Sequence, residues 1–153
     1  YSLNHKDFIK KNFDFSFGQH SGVIDFNKDR FELPRFPINE KYGDLKRFEF
    51  LVNLEPLQYK KLLPEDKLLL SKDNPTKLKV EFFEEQKNIQ QLNCFSNEGD
   101  GWKNSNINFQ NNILEVVFKE KFLFRRGRIN CSLNDNGIWR WFGTQFTVKS
   151  IKE

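Results

Sequence analysis

Apolar and polar positions recur along this chain with a helical period in some stretches and with strict alternation in others. Leu3, Phe8 and Ile9 lie on one face of a short helix that Ser2 or Asn4 can cap and that runs through Asn12. Phe13, Phe15 and Phe17 then alternate with Asp14 and Ser16, which predicts a strand. Residues 18–30 carry two glycines and several turn formers and read as a loop. Glu32 to Ile38 is expected to be extended, because Pro34 and Pro37 push their predecessors out of the helical region. Two prolines suit an edge or barrel-rim strand better than a central one. Gly43 and Asp44 open a second helix over Leu45–Leu54, with Leu45, Phe48, Leu51 and Val52 on one face and Pro56 at its end. Helix, strand, loop, strand and helix in that order make an α/β pattern.

Beyond Pro56 the pattern changes. Leu78, Val80 and Phe82 alternate with Lys77, Lys79 and Glu81, and further strands are expected at Ile89–Phe95, Ile107–Phe109 and Ile113–Phe118. Arg128–Leu133 and Ile138–Lys149 flank Asn134-Asp135-Asn136-Gly137, and an Asn-Gly pair between alternating runs signals a hairpin. Short strands at such intervals suggest a small β-sandwich. The expected fold class is therefore α/β plus all-β, with an α/β part over residues 1–60, a β-sandwich over 61–153 and the boundary within residues 57–70.

Composition sharpens this picture. The chain has 153 residues, including 18 Phe, and lacks both Met and Ala. Without Ala the best helix former is missing, and Phe favours half-buried strands, so a helical bundle is not expected. Without Met, Tyr1 reads as the start of a processed or cut piece. The net charge of +4 permits acidic partners. Basic and acidic residues are interleaved, and the densest basic cluster is Arg125, Arg126 and Arg128. A nucleic-acid footprint needs a basic face on a recognisable module, so nucleic acid is not expected as a partner. No apolar run approaches the ~20 residues of a membrane span.

Few residues offer chemistry. His5 and His20 lack metal-ligand spacing, which leaves no metal site in this chain on sequence grounds. His5 reads as an exposed helix residue, and His20 sits in a glycine-flanked loop where it can face a pocket. Ser21 lacks the frame of a hydrolase nucleophile. Cys94 and Cys131 either staple two sheets as a disulfide in an oxidising compartment or remain two buried thiols, and their spacing does not choose. Trp139 and Trp141 are two apart and share a strand face, with the sandwich core as their expected place. Trp102 lies in a loop beside Glu98 and Asp100 and is the better candidate for exposure.

Several strings carry a resemblance. Phe17-Gly18-Gln19-His20-Ser21-Gly22, then Leu33 through Gly43 and the helix over Leu45–Leu57, resemble the last part of bacterial polysaccharide deacetylases of the NodB-homology class. Leu92-Asn93-Cys94-Phe95, Arg128-Ile129-Asn130-Cys131-Ser132 and Trp139-Arg140-Trp141-Phe142 resemble the C-terminal extension of one branch of that family. The resemblance implies the terminal β/α elements of a distorted (β/α) barrel followed by the sandwich. It implies metal-dependent removal of N-acetyl groups from amino-sugar glycans, with a divalent metal, zinc or similar, held by ligands outside this chain. An N-acetylated polysaccharide and a missing N-terminal part of the same protein are then the expected partners. His20 and Arg35 would stand in the active-site wall, and Gln19, His20, Asn39 and Trp102 would bind substrate. A periplasmic or cell-envelope location follows, where a Cys94–Cys131 disulfide would persist. The alternative is a non-catalytic carbohydrate-binding module presenting Trp102 and Trp139. A third reading, motivated by the Arg125–Arg128 cluster, is a basic surface for anionic polymers such as lipopolysaccharide or nucleic acid.

Overall fold

The structure is a computed structural model that describes residues 2–84, 86–123 and 125–149. Helix α1 spans Leu3–Asn12, and the Ser2 hydroxyl caps it by accepting from the His5 N–H at 3.2 Å. Helix α2 spans Leu45–Val52, and the Asp44 carboxylate accepts from the Arg47 N–H at 2.9 Å. The chain between the helices, residues 13–42, is a strap without regular strands. Its two arms meet at an isolated parallel bridge between Phe17 and Leu33. There the Gly18 N–H donates to the Leu33 carbonyl at 2.8 Å and the Leu33 N–H to the Ser16 carbonyl at 3.0 Å.

The α/β expectation for this part is overturned. Alternation at Phe13, Phe15 and Phe17 predicts a strand only if a sheet receives it, and all three rings are more than half exposed. No β/α barrel element is present among the described residues, since α1 and α2 flank no parallel sheet of their own. After α2 the chain joins the sandwich directly. Glu55–Pro56 (β1) pairs in parallel with the last long strand, through Glu55 opposite Arg140 and Pro56 opposite Trp141. Pro56 sits on an edge, where a missing N–H is tolerated.

The remaining strands are β2 (Lys61–Leu63), β3 (Leu68–Leu70), β4 (Lys77–Glu81), β5 (Asn93–Asn97), β6 (Lys103–Asn104), β7 (Asn106–Gln110), β8 (Ile113–Val117), β9 (Arg126–Asp135) and β10 (Ile138–Lys149). One sheet has the order β1-β10-β9-β5-β6, with β3 beside the far half of β10, and the other has the order β2-β4-β8-β7. The expected strand at Ile89–Phe95 begins later, because Ile89–Gln91 forms a 3-10 turn before β5. The β9–β10 hairpin closes on Asn136 and Gly137 at φ 53° and 94°, the left-handed pair that this turn requires.

Alternation assigns the faces. Ile129, Cys131 and Leu133 of β9 and Phe142, Phe146 and Val148 of β10 point inward, against Leu78 and Val80 of β4 and Leu114 and Val116 of β8. Phe122 stacks on Phe146 at 5.8 Å and fills the space that a side chain at Gly127 would take. Trp139 and Trp141 lie on the opposite face of β10 and do not fill the sandwich core, contrary to expectation. Phe36 of the strap meets Trp141 edge-on at 5.8 Å, and Phe50 of α2 meets Trp139 at 5.9 Å. Cys94 and Cys131 are disulfide-bonded. They stand directly opposite each other on β5 and β9, so the bond joins neighbouring strands of one sheet and does not staple the two sheets.

Candidate functional site

The strap crosses the outer face of the first sheet and is seated there by a close approach. At Gly143 of β10, the Ser21 carbonyl and the Asn130 side chain occupy the space that a Cβ would need. Pro34 is buried, and a Cβ at Gly22 would lie 3.0 Å from its ring. The Arg35 N–H donates to the His20 carbonyl at 3.0 Å and ties the two arms together. Residues 19–21 and 35–39 are thereby held above β9.

A cavity of about 520 Å³ opens between strap and sheet. Gln19, His20, Arg35 and Asn39 line it from the strap, and Trp102 lines it from the loop before β6. Gln19, His20, Arg35, Asn39 and Trp102 thus line one space, whereas Trp139 lies outside it. The sequence reading missed Arg128 and Asn130 as part of it. The signal was present in β9, where Arg126, Arg128 and Asn130 alternate with buried neighbours and so share the outer face.

The electrostatics of this cavity are one-sided. Its described lining includes Arg35 and Arg128 and no carboxylate. The Arg128 guanidinium lies over the Trp102 ring, 5.4 Å from its centre. Its Nε is buried and has no hydrogen-bond partner among the described residues. Burial pushes the His20 imidazole down to about 4, helped by Lys67, Lys28 and Lys6 and opposed by Glu32. His20 is therefore neutral at pH 7 and contributes hydrogen bonding, not charge.

Other cavities adjoin the strap, and two of them hold clustered charges. One, of about 440 Å³, shares Gln19 and His20 with the first and is lined by Arg125, Arg126, Gln145 and Thr147. The other, of about 330 Å³, mixes lysines with carboxylates. There Lys6 pairs with Asp29 at 2.6 Å and Glu32 at 2.9 Å. Burial lowers Lys67 to about 8, with its Nζ 3.5 Å from the Pro64 carbonyl. Among the described residues no group of three or more His, Cys, Asp or Glu is placed to hold a metal ion. No helix among them is long and apolar enough to cross a membrane.

No family model matches the chain. No curated protein matches it either. Among solved structures it resembles PcoC, a methionine-rich copper resistance protein from Escherichia coli, with a TM-score of 0.44 and 12% identity over 60% of this chain and 97% of that one. The selenomethionine form of PcoC gives a TM-score of 0.42 and 12% identity, over 60% of this chain and 99% of that one.

No family model supports the NodB-homology resemblance, and the fold of the described residues overturns it. The strings that carried it fold as a strandless strap and as α2, outside any barrel. Hydrolysis of N-acetyl groups, the N-acetylated polysaccharide and the upstream half holding the metal ligands rested on that resemblance and are withdrawn with it. The carbohydrate-binding alternative gains no support either, since both of its tryptophans have neighbours within the chain. The Trp139 ring packs against Phe50, and the face of Trp102 carries the Arg128 guanidinium.

Proposed function

We propose that this chain is a binding domain whose site is the cavity between strap and sheet, and that its ligand presents a carboxylate or phosphate beside an apolar portion. Arg128 carries the reading. A guanidinium stacked on an indole, with a buried N–H lacking an acceptor and no carboxylate in the cavity lining, calls for an anion from outside the chain. Arg35 supplies a second positive charge from the opposite wall. Gln19, neutral His20, Asn39 and Asn130 offer hydrogen bonds, and Trp102 and Phe36 offer apolar surface. The Cys94–Cys131 bond supports an oxidising compartment, the periplasm or cell envelope, as the place of work.

The test is a titration of the protein with citrate and with phenyl phosphate, followed by tryptophan fluorescence and by calorimetry. Both anions should bind, and Arg128→Gln should weaken them at least tenfold while melting at a temperature close to the parent. Indifference of both anions to Arg128→Gln and to Arg35→Gln would sink the reading.

A further inference from the structure

The cavity of about 330 Å³ at the strap shares no lining residue with the anion site and holds a different chemistry. Five lysines line it. Lys6, Lys60 and Lys61 are each committed to carboxylates at 2.6–2.9 Å. Lys28 rests on the Tyr59 ring, 4.0 Å from its centre. Lys67 is only 8% exposed and has no ion pair among the described residues. We infer that Lys67 is a nucleophilic amine and that this cavity admits a small aldehyde to it, forming a Schiff base.

The fold places the amine. Lys67 ends the loop between β2 and β3, and its carbonyl accepts from the Thr147 N–H at 2.7 Å, which fixes the backbone beside β10. Its Nζ lies 4.9 Å from the centre of the Phe146 ring, a residue of the sandwich core. The hydrogen bond it makes among the described residues is long, 3.5 Å to the Pro64 carbonyl. An ammonium has three protons to place, and a ring face with one distant carbonyl serves them poorly. The acids around it are engaged elsewhere. Glu65 pairs with Lys61, Glu32 with Lys6, and Asp66 accepts from the Leu68 N–H at 2.9 Å.

The charges facing Lys67 come from three elements. Lys6 of α1 repels its proton, and Glu32 of the strap with Asp66 and Glu65 of its own loop attract it. His20 of the strap is neutral at pH 7. Burial outweighs them all and holds Lys67 at about 8. At pH 7 about one Lys67 in ten is then a free amine, against roughly one in 3,000 for a lysine at 10.5. Desolvation beside a second cation is the setting that activates lysines toward carbonyl carbon.

In the step itself the nitrogen lone pair attacks the aldehyde carbon and a C–N bond forms. The carbonyl oxygen leaves as water with the two amine protons, so no oxidant or reductant is required. The imine gives up N–H donors that lacked acceptors and sets an apolar chain beside Phe146 and Leu62. A volume of about 330 Å³ is at the small end of ligand pockets, ~300–1,000 Å³, which favours an aldehyde of a few carbons.

The experiment treats the full chain at pH 7 with propanal and sodium cyanoborohydride, which reduces the imine to a stable amine, and maps each lysine by peptide mass against time. The α-amino group is mapped separately. A parallel sample receives 1-pyrenecarboxaldehyde, which is too wide for the cavity. Propanal should modify Lys67 at least tenfold faster than the average lysine, and the advantage should vanish by pH 10. The pyrene aldehyde should spare Lys67. Lys67→Arg and Lys67→Met should each remove one fast equivalent from the intact mass with unchanged circular dichroism, and the wild-type map decides the matter if either variant fails to fold. Even labelling of all lysines at pH 7, reaction of Lys67 only in urea, or equal access of both aldehydes overturns the proposal. None of these outcomes bears on Arg128, so the anion site stands or falls by its own titration.

Discussion

Gly143 lacks a side chain, and the strap uses the room. With the Ser21 carbonyl already inside the position of a Cβ, Gly143→Ala must push the strap off the sheet or bend β10. Overpacking of this kind costs about 1–3 kcal/mol. A lowered melting temperature and weaker anion binding are expected together, because the same contact holds the cavity wall. His20 gives a second test. Its side chain titrates near 6.5 when unfolded and at about 4 when folded. Above pH 6.5 both states are neutral and the stability is fully present. As pH falls from 6.5 towards 4 the unfolded chain gains a proton that the folded one refuses, so stability is lost, by about 3 kcal/mol at most. Denaturant melts at pH 7 and pH 4.5 should show this loss, and His20→Asn should reduce it. The alternation at Trp139 and Trp141 identified a shared face correctly, but not which face. That choice depends on where the second sheet and the strap lie, and neither is encoded near residue 139.

Among elements, the β9–β10 hairpin was the most legible, because Asn136 and Gly137 specify its turn locally. The strands β4 and β8 follow for a similar reason, each carrying buried side chains at alternate positions. The strap was the least legible. Phe13, Phe15 and Phe17 have the period of a strand, yet the strap is held by tertiary contacts and by hydrogen bonds between its own arms. Of the cavity lining, Gln19, His20, Arg35, Asn39 and Trp102 stand out in the sequence for other reasons, whereas Arg128 reads there only as one charge in a cluster. The disulfide was an open choice on spacing, and the register of β5 on β9 decides it by setting Cys94 opposite Cys131. It closes a loop of sequence separation 37. Cross-linking a loop of that size stabilises by about 3–4 kcal/mol in the chain-entropy model. Urea melts with and without reductant should differ by that amount, and no difference would mean that the ladder alone holds β5 in place.

At the scale of the molecule, ion pairs compensate many of the charges. Carboxylates pair with lysines on the second sheet, as in Glu115 with Lys77 and Lys79 and Glu81 with Lys60. Arg140 is held by Glu55 and Asp135. The cavity between strap and sheet, by contrast, has Arg35 and Arg128 and no carboxylate in its described lining. Anion affinity should accordingly fall several-fold between 50 and 300 mM salt, because the exposed part of the cavity is screened. A salt-independent affinity would point to apolar contact instead. The meeting of Ser21 with Gly143 has one more consequence, in the order of events during folding. The hairpin is local and can form early, whereas the strap must wait for a finished sheet before it has anywhere to lie. The cavity between strap and sheet is then the last part of the molecule to assemble and the first to open. A ligand that grips both strap and sheet will slow that opening, and the amides of Gly18 and Arg35 should record it as slower hydrogen exchange.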